Sequence, residues 1–150
     1  MTEGSVILRR ATAADGPALG DVWLAAWRAT FAFPPAHPDD DVRRWLAEEM
    51  LPAHEVWVAA DRDQVVALMA LSETFVDQLY VRPERIGCGI GSRLLDLAKS
   101  RRPAGLVLWC FQANARARRF YEARGFVAEA FGDGSGNMEG QPDVRYAWRP

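Results

Sequence analysis

Gly87, Gly89 and Gly91 stand at alternate positions in LYVRPERIGCGIGSRLL, between an apolar run and a helical pattern of leucines. A helix that starts on such a run has outward-pointing amide hydrogens and partial positive charge from its dipole. The missing β-carbons let a diphosphate approach the main chain closely. The chemistry this offers is anion binding by backbone alone. Spacing separates the ligands: a dinucleotide fingerprint would put its third glycine at Ser92, and a P-loop would carry Lys-Ser or Lys-Thr after its last glycine. Neither fits. Cys88 and Cys110 lack CxxC spacing and read as reduced thiols, and His37 and His54 have no third ligand type nearby, so no metal site is expected.

The elements that must position this loop follow from periodicity. Val6 to Arg10 reads as a strand. Asp15, Gly16 and Pro17 open a helix whose stripe is Leu19, Val22, Trp23, Ala26 and Trp27, which makes both tryptophans packing residues first. Prolines 34, 35 and 38 break the chain. Asp39, Asp40 and Asp41 then start a second helix with Val42, Trp45, Leu46 and Met50 on one face. The triplet suits the helix dipole; a negative wall for a cationic acceptor is the rival use. Glu55 to Ala60 and Val65 to Leu71 form a hairpin with a four-residue loop, and Phe75 to Val81 is a third apolar run.

Gly89 to Ser100 is a helix, Leu106 to Phe111 a strand, and Ala115 to Arg124 a helix ended by a left-handed Gly125. Val127 to Phe131 and Val144 to Trp148 close the chain around GDGSGNMEGQPD, expected as a mobile surface loop. The order is β-α-α-β-β-β-α-β-α-β-β. It describes an α/β (mixed α+β) fold in a single domain over residues 1–150, a mixed, mostly antiparallel sheet of about six or seven strands with about four helices.

Of 150 residues, 49% are apolar and 25% charged, with a net charge of −2. That balance excludes a disordered chain and disfavours nucleic acid as a partner. The apolar run in MTEGSVILRR is too short for a signal peptide or membrane span, so a cytoplasmic address without membrane attachment is expected. Six tryptophans and an apolar last strand leave room for a homodimer.

The glycine stretch resembles the acetyl-CoA-binding motif of the GNAT N-acetyltransferases, Gln/Arg-x-x-Gly-x-Gly/Ala between a strand and a helix, matching over Ile86 to Gly91. Ile86 departs from Gln or Arg, with Arg85 adjacent. A second stretch, NARARRFYEARGF, is similar to the family's Asn-x-x-Ala-x-x-Phe-Tyr-x-x-x-Gly-Phe through Asn114, Ala117, Phe120, Tyr121, Gly125 and Phe126. With the element order, the resemblance spans essentially the whole chain.

The resemblance implies an acyl-CoA-dependent N-acetyltransferase that passes acetyl from acetyl-CoA directly to a primary amine in a ternary complex, without metal. It implies that the strands 75–81 and 106–111 splay apart, with pantetheine between them. Leu79, Tyr80 and Val81 would hold the pantetheine, and a backbone amide near Leu79 or Tyr80 would polarise the thioester. Ile86, Gly87, Cys88, Gly89, Ile90, Gly91 and Ser92 would cradle the diphosphate, with Asn114 also at the cofactor. Tyr121 would act as general acid toward the leaving thiolate, and Glu73 or Asp77 as base for the amine. The acceptor is a small-molecule or peptide amine, recognised by the first helix, Arg28 to Asp41 and the loop Gly132 to Asp143. Two alternatives remain open: an acyl-CoA sensor without catalysis, and an enzyme that acetylates protein N-termini or lysines.

Overall fold

Two long β-branched and aliphatic runs in the first half of the chain pair with each other in the computed structural model, which describes residues 5–150. They are β2 (Glu55–Asp61) and β3 (Gln64–Leu71). The reversal takes two residues, Arg62 and Asp63, not the four expected, because Asp61 and Gln64 still pair. Arg62 takes the left-handed φ of 58° that so tight a turn demands. β1 (Val6–Arg10) lies antiparallel outside β2, and β4 (Val76–Val81) lies antiparallel beyond β3. All but the first residue of β3 are buried, as expected of a strand covered on both faces.

A second antiparallel sheet has the order β5-β7-β6, built from β5 (Leu106–Phe111), β6 (Val127–Gly132) and β7 (Asp143–Trp148). The two sheets meet at a parallel bridge between Phe75 and Val107, where the Val107 N–H donates to the Thr74 carbonyl at 2.8 Å. Phe75 therefore belongs to this junction, and β4 proper starts one residue later than expected. The mixed, mostly antiparallel architecture and its element order agree with the sequence.

Helices α1 (Gly16–Thr30) and α2 (Asp39–Trp45) cover one face of the first sheet; α2 continues through a π-helical turn, Leu46–Met50, into Leu51–Ala53. Leu19, Val22, Leu46 and Met50 pack there on Val58 and Leu68. Helix α3 (Ile90–Arg101) covers the other face, where Leu94 and Leu95 join Met69, Leu106 and Tyr146 in a core that runs on into the second sheet. Burying each such leucine contributes roughly 1.5–3 kcal/mol. Helix α4 (Ala115–Glu122) follows β5, and Gly125 after it takes the left-handed φ of 88°. Asp39, Asp40 and Asp41 sit in the first turn of α2, with Asp39 paired to Arg28 and Asp41 to Arg44.

The loop expected to be mobile is cross-tied. Asn137 Nδ2 donates to the Gln141 carbonyl at 2.8 Å and to Asp143 Oδ2 at 3.1 Å, while Gln112 Nε2 donates to the carbonyls of Gly132 and Asp143. Glycine-rich composition signals conformational freedom but not the side chains that remove it.

One partly exposed ion cluster ties the α2–β2 junction to the end of α3. Glu55 accepts from Arg101 Nε at 2.6 Å, Trp57 Nε1 at 2.8 Å and Arg102 Nη1 at 3.2 Å. The Arg101 hydrogen bond, outweighing desolvation, holds the Glu55 carboxyl at about 2. A depressed folded-state value means that this stabilisation is present above the unfolded carboxylate range and is lost as pH falls toward 2. Glu55→Gln should therefore lower Tm at pH 7 and flatten the fall of Tm between pH 4.5 and pH 2, as thermal melts will show.

Candidate active site

The active-site gap starts from a defect in β4. Met69 opposes Leu79 and Ala70 opposes Gln78, but Leu71 opposes Val76, so Asp77 is an extra residue bulged out of the ladder. Bulges re-aim side chains and end pairing, and are common beside active sites. Past the bulge, the Arg82 N–H donates to the Val66 carbonyl at 2.9 Å. Strand alternation then turns the backbone groups of Gln78 and Tyr80 toward β3, and those of Leu79 and Val81 into the space beside β5. β4 and β5 diverge from the Phe75–Val107 bridge and enclose a cleft of about 720 Å³.

Tyr121, Cys110, Tyr80 and Phe111 line this cleft, with the loop Gly132 to Asn137 and Glu139 along its rim. Burial raises the Tyr121 phenol above its usual value, with smaller contributions from Cys110 and Tyr80, so the hydroxyl keeps its proton at any physiological pH. Burial likewise pushes the Cys110 thiol up to about 12, which makes it a poor nucleophile. Tyr80 is raised by desolvation first and then by the Glu139 charge. On the α1 side, Trp23 Nε1 donates to Gln78 Oε1 at 3.1 Å and stacks on Trp27 at 4.9 Å. Trp27, Phe31 and Phe33 close around Phe111 with centroids 4.7–5.9 Å apart, an aromatic plug at the end of β5. The two tryptophans therefore pack, as expected, behind Gln78 and Phe111 of the cleft wall.

The glycine run forms the strand-to-helix passage its composition requires. Gly87 and Gly89 take left-handed φ of 87° and 83°, and Gly89 is the N-cap of α3. Arg93 donates to the Gly89 carbonyl at 3.1 Å as the helical ladder starts, which leaves the amides of Ile90, Gly91 and Ser92 as the unpaired first turn. A β-carbon on Gly87 would meet nothing within 4 Å, so the loop's outer side is open. The exposed Ile86 presents no polar group, and Arg85 does not substitute for one, because its guanidinium is paired with the buried Asp61.

The two sequence motifs meet in space. Phe120 packs on Gly91, whose β-carbon would lie 3.4 Å from Phe120 Cζ, and Ser92 Oγ accepts from Arg124 Nε and Nη2 at 3.0 and 2.6 Å. Asn114 Oδ1 accepts from the Ala117 N–H at 3.2 Å, capping α4 while it lines the cleft. Of the two candidate bases, Asp77 lines the cleft and lies 3.2 Å from His54 Nε2, whereas Glu73 is exposed in the turn before β4 and is not part of the wall. His54 and Cys110 were not among the site residues expected, whereas Glu139 belongs to the loop expected to recognise the acceptor. His54 reaches Asp77 only through the β2–β3–β4 pairing, and nothing local in the sequence marks it.

Residues 52–128 match the family model described as an acetyltransferase (GNAT) domain. The peptidyl-lysine N-acetyltransferase YjaB of Escherichia coli K12 is 33% identical over 122 residues, covering 81% of this chain and 82% of that protein. The solution structure of apo YjaB from Escherichia coli superposes with a TM-score of 0.79 at 28% identity, over 95% of this chain and 97% of that one. PaiA N-acetyltransferase from Thermoplasma acidophilum, solved in complex with coenzyme A, shares the fold with a TM-score of 0.76 at 18% identity, over 97% of this chain and 99% of that one. Among the described residues, no helix is long and apolar enough to cross a membrane. A bulged β4 diverging from β5, a glycine turn capping the next helix and a matching domain model together establish that this chain is an N-acetyltransferase of the GNAT family.

Proposed function

We propose that the chain transfers an acetyl group from acetyl-CoA to the ε-amine of a lysine side chain by direct attack in a ternary complex. The carrying observation is the divergence of β4 from β5, which leaves the backbone groups of Leu79 and Val81 facing a cleft that also holds the Tyr121 hydroxyl. In this reading the amides from Gly87 to Ser92 receive the diphosphate and pantetheine extends β4 across the gap. The Leu79 N–H meets the thioester oxygen as it gains charge.

The acceptor's charge follows from the walls. Asp77, Asp133, Glu139 and Asp143 line the cleft, and no basic side chain does so among the described residues. Such walls favour an ammonium, and the aromatic plug suits the aliphatic stem of lysine. The E. coli relative's name as a peptidyl-lysine enzyme supports the same acceptor. A lysine amine with a pKa of about 10.4 is protonated at pH 7, so a base must take its proton before attack. In this reading the base is Asp77, which lines the cleft.

Tyr121, kept protonated by burial, supplies the proton that the departing thiolate needs. A thiol of reference pKa about 8.5 leaves with modest help, so Tyr121→Phe should lower kcat by about 10²-fold or less and leave the KM for acetyl-CoA unchanged. Steady-state CoA release checks this. The overall reading is tested by CoA release with lysine peptides, free lysine and polyamines at saturating acetyl-CoA, with mass spectrometry of the product. Turnover on lysine peptides is expected. Tight acetyl-CoA binding without release on any amine would instead mark a sensor.

A further inference from the structure

His54 lies at a junction of three elements. It follows Leu51–Ala53 at the end of the π-helical turn, precedes β2, and reaches the bulge of β4. Its Nδ1 is 3.0 Å from the Met50 carbonyl, and its Nε2 is 3.2 Å from Asp77 Oδ2. Both neighbours have lone pairs to offer. A backbone carbonyl, like an ionised carboxylate, can only accept; in the neutral tautomer with its ring hydrogen on Nδ1, that hydrogen faces the Met50 carbonyl. In that tautomer the Nε2 lone pair stands 3.2 Å from Asp77 Oδ2, and one added proton makes the two an ion pair. The bulge creates this contact, since without the extra residue Asp77 would hold a regular ladder position.

We propose that Asp77 and His54 act as one proton-accepting unit, in which Asp77 receives the proton from the acceptor ammonium and His54 Nε2 is where it comes to rest. This rests on the proposed transfer to an amine in the β4–β5 cleft. The steps balance. An N–H bond of the ammonium breaks, its electron pair stays on nitrogen, and the proton binds an Asp77 oxygen. That proton moves to Nε2, restoring the carboxylate beside an imidazolium whose two N–H groups both meet acceptors. The freed amine forms a C–N bond at the thioester carbonyl, and the C–S pair leaves on sulfur and takes the Tyr121 proton. The second proton lost by nitrogen returns to the Tyr121 oxygen, and the Asp77–His54 pair gives its proton to water after amide and thiol leave. His54 is a positioning residue here, since it acts through Asp77.

The charged groups around the pair have other commitments or stand across the cleft. Glu55, next in sequence, is held by Arg101 and Arg102, and Arg28 is paired with Asp39. Across the gap stand Asp133, Glu139, Asp143, Cys110 and Tyr121, with Tyr80 on the strand of Asp77 itself and no cation among the described lining residues to compete for the carboxylate.

The test is the pH profile of kcat/KM for a lysine peptide at saturating acetyl-CoA, using the full chain. His54→Asn retains a side-chain donor for the Met50 carbonyl but has nothing at Nε2. It should move the acidic limb of the profile to lower pH by more than one pH unit and lower the plateau about 10-fold. Asp77→Asn should lower the plateau further at every pH. A His54→Asn profile that keeps the native shape, merely scaled or unscaled, overturns the proposal, as it would mean a structural role. A second measurement needs no variant: the 15N signals of the His54 ring should titrate together with the kinetic limb, and a separation above one pH unit also overturns it. Failure of the proposed function looks different, since the native chain would then release no CoA with any amine.

Discussion

Leu79→Pro should lower kcat by about 10²- to 10³-fold while the sheet stays folded, because the substitution deletes one N–H from the gap and none from the ladder. The β3–β4 register and the Arg82-to-Val66 hydrogen bond turn the Leu79 backbone groups away from β3. Proline is tolerated in a strand where the missing hydrogen has no partner strand. What disappears is the donor proposed to meet the oxygen of the tetrahedral intermediate, a loss of about 2.7–4 kcal/mol of transition-state stabilisation by analogy with other oxyanion donors. Leu79→Ala keeps the N–H and should stay within about tenfold of the native rate. Thermal melts establish that both variants fold, and calorimetry with acetyl-CoA establishes that the diphosphate grip at Gly87 to Ser92 survives. If Leu79→Pro turns over like Leu79→Ala, stabilisation of the oxyanion lies elsewhere.

Element order, helix stripes and the glycine turn were legible because each is written in local spacing: Leu94, Leu97 and Ala98 recur at three- and four-residue intervals, and β5 was bounded at Leu106 and Phe111 as observed. The motif residues were legible through resemblance, and the structure brings Gly91 against Phe120 and Ser92 against Arg124. Other features depend on register. The bulge at Asp77 decides which amides of β4 enter the gap, and no residue type announces it, since one extra residue in a pairing is a property of two strands. The same pairing distinguishes Asp77 from Glu73, four positions apart and chemically alike, by placing one in the cleft and the other in an exposed turn. His54 was invisible for a related reason: its partner lies 23 positions away and meets it only across the assembled sheet. The sequence put Arg85 beside the departure at Ile86, and only the fold shows that this guanidinium is bound to Asp61.

That leaves the proposed grip on the diphosphate to the main chain, and Gly89→Val tests it at the residue least able to change. Gly89 has φ 83° and ψ 2° and is the N-cap of α3, so a β-branched residue there must hold a left-handed conformation costing about 1–3 kcal/mol or else rotate the first turn. Rotation would turn the Ile90 to Ser92 amides off the anion. The KM for acetyl-CoA should rise about 10²-fold, equivalent to about 2.7 kcal/mol of binding, while kcat at saturating cofactor changes far less because Leu79 and Tyr121 belong to other elements. Gly87→Ala is the informative contrast: its φ of 87° carries the strain, but the added methyl meets nothing within 4 Å, so its effect should be smaller. Were Gly89→Val to bind acetyl-CoA with native affinity, the helix start would not be the anion site. The Arg124 guanidinium, next to Ser92 Oγ, would then become the first group to test.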